Sequence, residues 1–154
     1  MRLRIFRYHC GACGEWYEAP VIGELAYGEF LLRSEPGEAR HLNANLDSTF
    51  TEVDQLIGND SRASTLDQFK RADLLNDVFG VACDKDQHGN EFHIGLKALC
   101  THCNRRNVVE WESVEPPKYV ELDIASVTHE TWSSLTVEEK QARVSAALDA
   151  SSLV

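Results

Sequence analysis

A chain of 154 residues with 43% hydrophobic content carries enough apolar material to bury a core without disulfides, and its composition is not that of a disordered protein. Its 25 acidic against 15 basic residues give a net charge of −10, which repels nucleic acid and anionic membranes at long range and favours basic partners. No apolar run is long enough for a signal peptide or a membrane span, so the expected location is the cytoplasm, where thiols stay reduced.

The chain opens with Leu3, Ile5, Phe6 and Tyr8, a strand-like stretch, and then reaches Cys10-Gly-Ala-Cys13-Gly14, followed by Trp16-Tyr17. Glu29–Arg33 and Ala39–Asn43 flank Glu35-Pro36-Gly37-Glu38, a strong turn signal, and predict a β-hairpin. Thr49-Phe-Thr-Glu52 has capping-box spacing ahead of Phe50, Val53, Leu56 and Ile57, which share one helical face before Gly58. Thr65-Leu-Asp-Gln68 repeats the signature ahead of a second helix. There Leu66, Phe69, Ala72, Leu75, Val78 and Phe79 keep the period, and Gly80 supplies the stop.

Val81–Cys83 and Glu91–Ile94 predict a further hairpin around an Asp-rich turn. Asp84-Lys-Asp86-Gln-His88-Gly89 has the start of a calcium loop but Gly95 where the twelfth-position acid belongs, so it reads as a solvated turn. Cys100-Thr-His-Cys103-Asn104 follows, and then the strand-like Asn107–Trp111. Beyond Pro116-Pro117, the alternation of Tyr119–Ile124 predicts a strand, and Thr136-Val-Glu-Glu139 caps a terminal helix that buries Val137, Val144, Ala147 and Leu148. His129 beside Trp132 reads as packing at a helix start.

Two pairs of cysteines, each pair separated by two residues, can aim four thiolates at one cation, and Gly14 and Asn104 suit the left-handed backbone that such turns need. Four thiolates complete a tetrahedral zinc site through Cys10, Cys13, Cys100 and Cys103, although iron fits the same donors. Redox dithiols normally sit where a strand enters a helix, and Gly14 with the aromatics after it argues against a helix there. On these residues the chain resembles the zinc ribbon, over about 1–19 and 96–112. It departs from that family in the long spacer between the pairs. Lengthening a loop this far costs about 1.5 kcal/mol, against an apparent ~10–16 kcal/mol from structural zinc.

The resemblance implies an α+β fold over 1–154 as a single domain: a split zinc ribbon with an inserted β-hairpin/helix lobe at about 20–95, and a C-terminal strand and helix at 118–150. One structural Zn2+ is the expected cofactor. Four sulfurs leave no position for a catalytic water, and phosphate-loop, nucleophile-elbow and metalloprotease motifs are absent, so an enzyme is not expected. Cys83, His88 and His93 suit a small buried thiol and surface histidines better than a chemical trio.

The leading expectation is a non-catalytic, zinc-stabilised protein-interaction module, such as an inhibitor or immunity-type protein, that binds a basic protein partner and no membrane. The alternative is a nucleic-acid-binding ribbon whose edge carries Arg2, Arg4, Arg7, Arg105 and Arg106 among Trp16, Tyr17 and Trp111. Against it, those arginines can pair with Glu15, Glu18, Glu110 and Glu112 across the strands.

Overall fold

The computed structural model describes residues 1–23 and 26–154. It has the expected α+β class, with two antiparallel sheets, helices and a C-terminal helix. In the first sheet, β1 (Arg2–Cys10) lies between β2 (Trp16–Val21) on one side and β6 (Val108–Ser113) and β7 (Tyr119–Glu121) on the other. β6 covers Phe6–Cys10 and β7 covers Arg2–Arg4, so these two form one edge interrupted at the proline pair. In the second sheet, β3 (Glu29–Ser34) lies between β4 (Ala39–Asn43) and β5 (Phe92–Ile94).

The predicted β3–β4 hairpin is present, with Arg33 opposite Ala39 and Gly37 at φ +104°, a region open mainly to glycine. β5, however, pairs with β3 and not with Val81–Cys83. Phe79–Ala82 is a 3-10 turn instead, pressed so closely on β5 that a Cβ on Gly80 would lie 2.2 Å from the Phe92 carbonyl oxygen. The missing side chain thus serves packing as well as ending the helix. β7 is also shorter than predicted: it ends at Glu121, Leu122 exchanges hydrogen bonds with Met1, and the chain then crosses to β4, where His41 N–H donates to Ala125 O.

Helix α1 (Ser48–Gly58) buries Val53, Leu56 and Ile57 as expected, but its cap is Asp47, not Thr49. Asp47 Oδ1 accepts from the Thr49 and Phe50 N–H groups, and Glu52 instead accepts from Trp132 Nε1 at 2.9 Å and pairs with Lys140 at 2.7 Å. Helix α2 (Gln68–Val78) is likewise capped by Asp67, one turn element later than Thr65 suggested. Its buried face becomes Leu74, Leu75 and Val78, leaving Phe69 exposed. At both sites one short carboxylate accepts two orphan N–H groups of the first turn. The terminal helix α4 (Val137–Ala150) keeps its predicted Thr136–Glu139 box and buries Val144 and Leu148, whereas Val137 faces solvent.

The main core is built from β3, β4, β5, the helices and Trp132 of the one-turn α3 (Glu130–Ser133). The Asp84 side chain caps α3 from across the fold, accepting from Thr128 Oγ1, Glu130 N–H and Thr131 N–H. Asp86 accepts from the backbones of His88 and Asn90, so this Asp-rich segment organises itself without a calcium-loop geometry. His129 bridges Ala82 O and Asp47 Oδ2, joining the 3-10 turn to the start of α1. Among the described residues, no helix is long and apolar enough to cross a membrane.

Two predictions follow from these contacts. Gly80→Ala must displace the β5 backbone, and a loss of about 1–3 kcal/mol is expected in urea unfolding. Burial alone would raise the Asp84 carboxyl, but its three donors outweigh that and hold it below the usual carboxylate range. The resulting stabilisation is present at neutral pH and is lost as pH falls through the depressed folded value. Asp84→Ala is therefore expected to cost about 1 kcal/mol at pH 7 and to flatten the acid limb of stability against pH.

Candidate metal centre

β1 delivers Cys10 to its own C-terminal end, and the chain then turns tightly through Cys13. Cys10 N–H donates to Glu15 O at 2.9 Å, and Gly14 N–H, at φ +78°, returns to Cys10 O at 2.8 Å. The second turn repeats this wiring. Cys100 N–H donates to Arg105 O at 2.9 Å, and Asn104 N–H, at φ +59°, donates to Cys100 O at 2.8 Å. Gly11 N–H donates to Asn107 O at 2.7 Å and locks the two turns face to face.

All four sulfurs lie within 4.8 Å of one another. Across the turns, Cys10 lies 3.6 Å from Cys103 and Cys13 lies 3.7 Å from Cys100. A tetrahedral ion with metal–sulfur bonds of about 2.3 Å needs sulfurs about 3.8 Å apart, so the arrangement fits one cation. The acid–base chemistry points the same way. The Cys13 backbone N–H leads the effects that draw Cys10 down to about 7. The Glu15 N–H also draws on Cys13, but burial and the three neighbouring sulfurs outweigh it and push that thiol up to about 12. Burial and the Cys10 and Cys100 sulfurs likewise outweigh the Arg105 N–H at Cys103, which is raised. The neighbouring sulfurs thus favour the Cys10 thiolate and oppose that of Cys13, and a bound divalent ion would favour the thiolate form of all its ligands.

The surroundings of the site differ from a simple pair of hairpins. The first turn joins β1 to β2, but the segment before Cys100 is not a strand, and β6 after it pairs with β1. In place of a strand, side chains hold that segment. Tyr17 Oη donates to Ala98 O at 2.8 Å, and Arg106 Nε donates to Lys97 O at 2.6 Å while its Nη1 meets Glu35 at 3.0 Å. Arg33, only 9% exposed, donates to Pro20 O and Leu96 O and makes no salt bridge among the described residues. The run Phe30-Leu-Leu-Arg33 signals a strand buried on both faces, a clue to Arg33 that sequence reasoning passed over.

The arginines proposed as an edge are dispersed. Arg4 pairs with Glu115, Arg7 with Glu112 and Arg106 with Glu35, while Arg2 lies 4.0 Å over the Tyr119 ring. Arg105 is exposed. His9 stacks on Trp16 at 4.8 Å, and His102 hydrogen-bonds Trp16 O at 3.1 Å; neither belongs to the sulfur cluster.

A cleft of about 860 Å³ lies elsewhere, between α2, α4 and the 3-10 turn, with Cys83 and His93 on its wall. His88 stands exposed on the turn, and the three form no metal-ligand group among the described residues. Burial, with Asp47 and Asp84 nearby, pushes the Cys83 thiol up to about 12, which makes it a poor nucleophile.

No family model, curated protein or solved structure matches this chain. The residues themselves define its class: an α+β protein with a four-cysteine group able to hold a metal ion.

The Asn104 backbone gives a specific test. Asn104→Gly is expected to bind metal as tightly as the parent, whereas Asn104→Val, which resists positive φ, is expected to bind at least about tenfold more weakly in a chelator competition.

Proposed function

We propose that Cys10, Cys13, Cys100 and Cys103 hold one structural Zn2+, and that the chain is a non-catalytic protein-interaction module for a basic protein partner, in the manner of an inhibitor or immunity protein. The observation that carries the metal assignment is the convergence of four sulfurs within 4.8 Å. Four soft thiolates in a tetrahedron suit zinc, and with every position filled by protein the ion has no site for an activated water. Free thiols of this kind suit a reducing compartment such as the cytoplasm.

The partner assignment draws on charge. A protein at −10, with Arg4, Arg7 and Arg106 each committed to a glutamate, attracts cationic proteins and resists nucleic acid. Against the nucleic-acid alternative, only Arg2 and Arg105 among the five arginines lack a carboxylate partner among the described residues.

Elemental analysis of protein purified without added metal is expected to give about one zinc per chain, falling to below about half in Cys100→Ser. Iron in its place would replace the zinc assignment. The tagged protein is expected to capture a basic protein at moderate salt and release it as salt rises. Retention of no protein, together with a salt-sensitive shift of DNA or RNA that weakens when Arg2 and Arg105 become Ala, would reverse the order of the two functions.

A further inference from the structure

The two sheets have four outer edges, and three of them are protected. Ala125–Val127 covers β4 through His41 N–H to Ala125 O and Val127 N–H to His41 O, each 2.9 Å. β5 is only three residues long. On β2, Pro20 sits opposite Ile5, whose N–H points to the other side of β1, toward Lys118 O. The N–H that Pro20 lacks would therefore have faced outward, so that edge is blunted.

β6 is different. Ile5 and Gly11 direct their N–H groups to the β6 side, toward Lys118 O and Asn107 O, and Cys10 directs its own to the β2 side. By alternation Arg7 and His9 make the ladder bonds to their partners Glu112 and Glu110. Trp111 and Ser113, which lie between and beyond those partners, turn their backbone N–H and C=O groups away from β1. No strand pairs with that side of β6 among the described residues.

The side chains along this edge are sorted. Val109 and Trp111 are 58% and 57% exposed, and Trp111 is held by stacking on Phe6 with ring centres 5.3 Å apart. Glu110 and Glu112 occupy the other face, half-exposed beside His9 at 3.3 Å and Arg7 at 2.7 Å, and the edge continues past Glu115, which meets Arg4, to Glu121. Lys118, the one base on this stretch, is paired with Glu18. A second β6 docked antiparallel about Trp111 would set glutamate against glutamate, which disfavours self-pairing. A strand bearing lysine or arginine on one face and apolar groups on the other meets both faces favourably, and a rigid tryptophan is a suitable anchor for it.

We propose that the free edge of β6 accepts an added β-strand from the protein partner, a segment in which basic and apolar residues alternate. This rests on the protein-binding reading above and adds the place and mode of contact.

The probe is a capped Lys-Val-Lys-Val-Lys-Val peptide, with a Glu-for-Lys peptide as control, added to the full metal-loaded chain. The Lys peptide is expected to slow amide exchange at Trp111 and Ser113 by about tenfold, and the Glu peptide to leave both unchanged. Ser113→Pro removes an outward N–H without breaking a bond to β1, and is expected to weaken the Lys peptide by about tenfold while keeping the metal. Glu110→Lys/Glu112→Lys is an independent variant expected to reverse the peptide preference.

The proposal is overturned by equal binding to Ser113→Pro, by no protection with millimolar Lys peptide, by equal protection from both peptides, or by a dimer that buries Trp111. A basic protein captured equally by the parent and Ser113→Pro would keep the protein-binding function and remove β6 from it.

Discussion

Sulfurs at positions 10 and 13 can meet those at 100 and 103 only if β1 and the start of β6 run side by side, and that adjacency organises everything around it. β1 pairs with three strands, and two of them come from beyond Asn107. The residues between the two cysteine turns then have to leave and return at nearly the same place. They do so by folding on themselves: β3 centres a second sheet, α1 and α2 pack with it around Phe79 and Phe92, and Trp132 and α4, from beyond the second turn, complete the core. A spacer whose ends meet adds little to the entropy of closing the metal turns.

The junction between the two sheets is polar where an apolar contact would have been simpler. Arg33 is buried between carbonyl oxygens, with no carboxylate paired to it among the described residues, and burial lowers its affinity for the proton, with Arg106 adding repulsion against the opposing pull of Tyr8 and Tyr17. Carbonyl acceptors on Pro20 and Leu96 let one guanidinium fix β2 and the run-up to the second cysteine turn relative to β3. Arg106 does the same from the other direction, by gripping Lys97, Ser34 and Glu35. Directional bonds of this kind set an orientation that hydrophobic contact alone leaves loose.

Much of this was legible in the sequence where the signal is local. The two cysteine turns, with Gly14 and Asn104 at positive φ, follow from residue type and spacing, as do the β3–β4 hairpin and the Thr136 capping box. Several of the differences are choices between local and distant partners, whereas Asp47 and Asp67 displaced Thr49 and Thr65 as caps within the same turn. Glu52 had the right spacing to close a box on Thr49, but Trp132 and Lys140, some eighty residues on, claimed it. Asp84 reads as part of a solvated turn and instead caps a helix that begins at Glu130. Val81–Cys83 had strand-forming residues, but Gly80 allowed a closer approach to β5 as a 3-10 turn than a ladder would give. Only Arg33 left a trace that went unread, as the charged end of an otherwise apolar strand.

The order in which β1's neighbours appear along the chain has a consequence for biogenesis. On a ribosome, β1 and β2 emerge first, yet the third strand of their sheet ends at Ser113, and until then one long side of β1 has no native cover. The hairpin and helices between residues 29 and 94 are more local and can begin to collapse in the meantime, and Trp132, Val144 and Leu148 complete their core later. Cys10 and Cys13 therefore stay an unmatched pair of thiols until Cys100 and Cys103 follow. A cation shared by all four sulfurs can be captured only after that point.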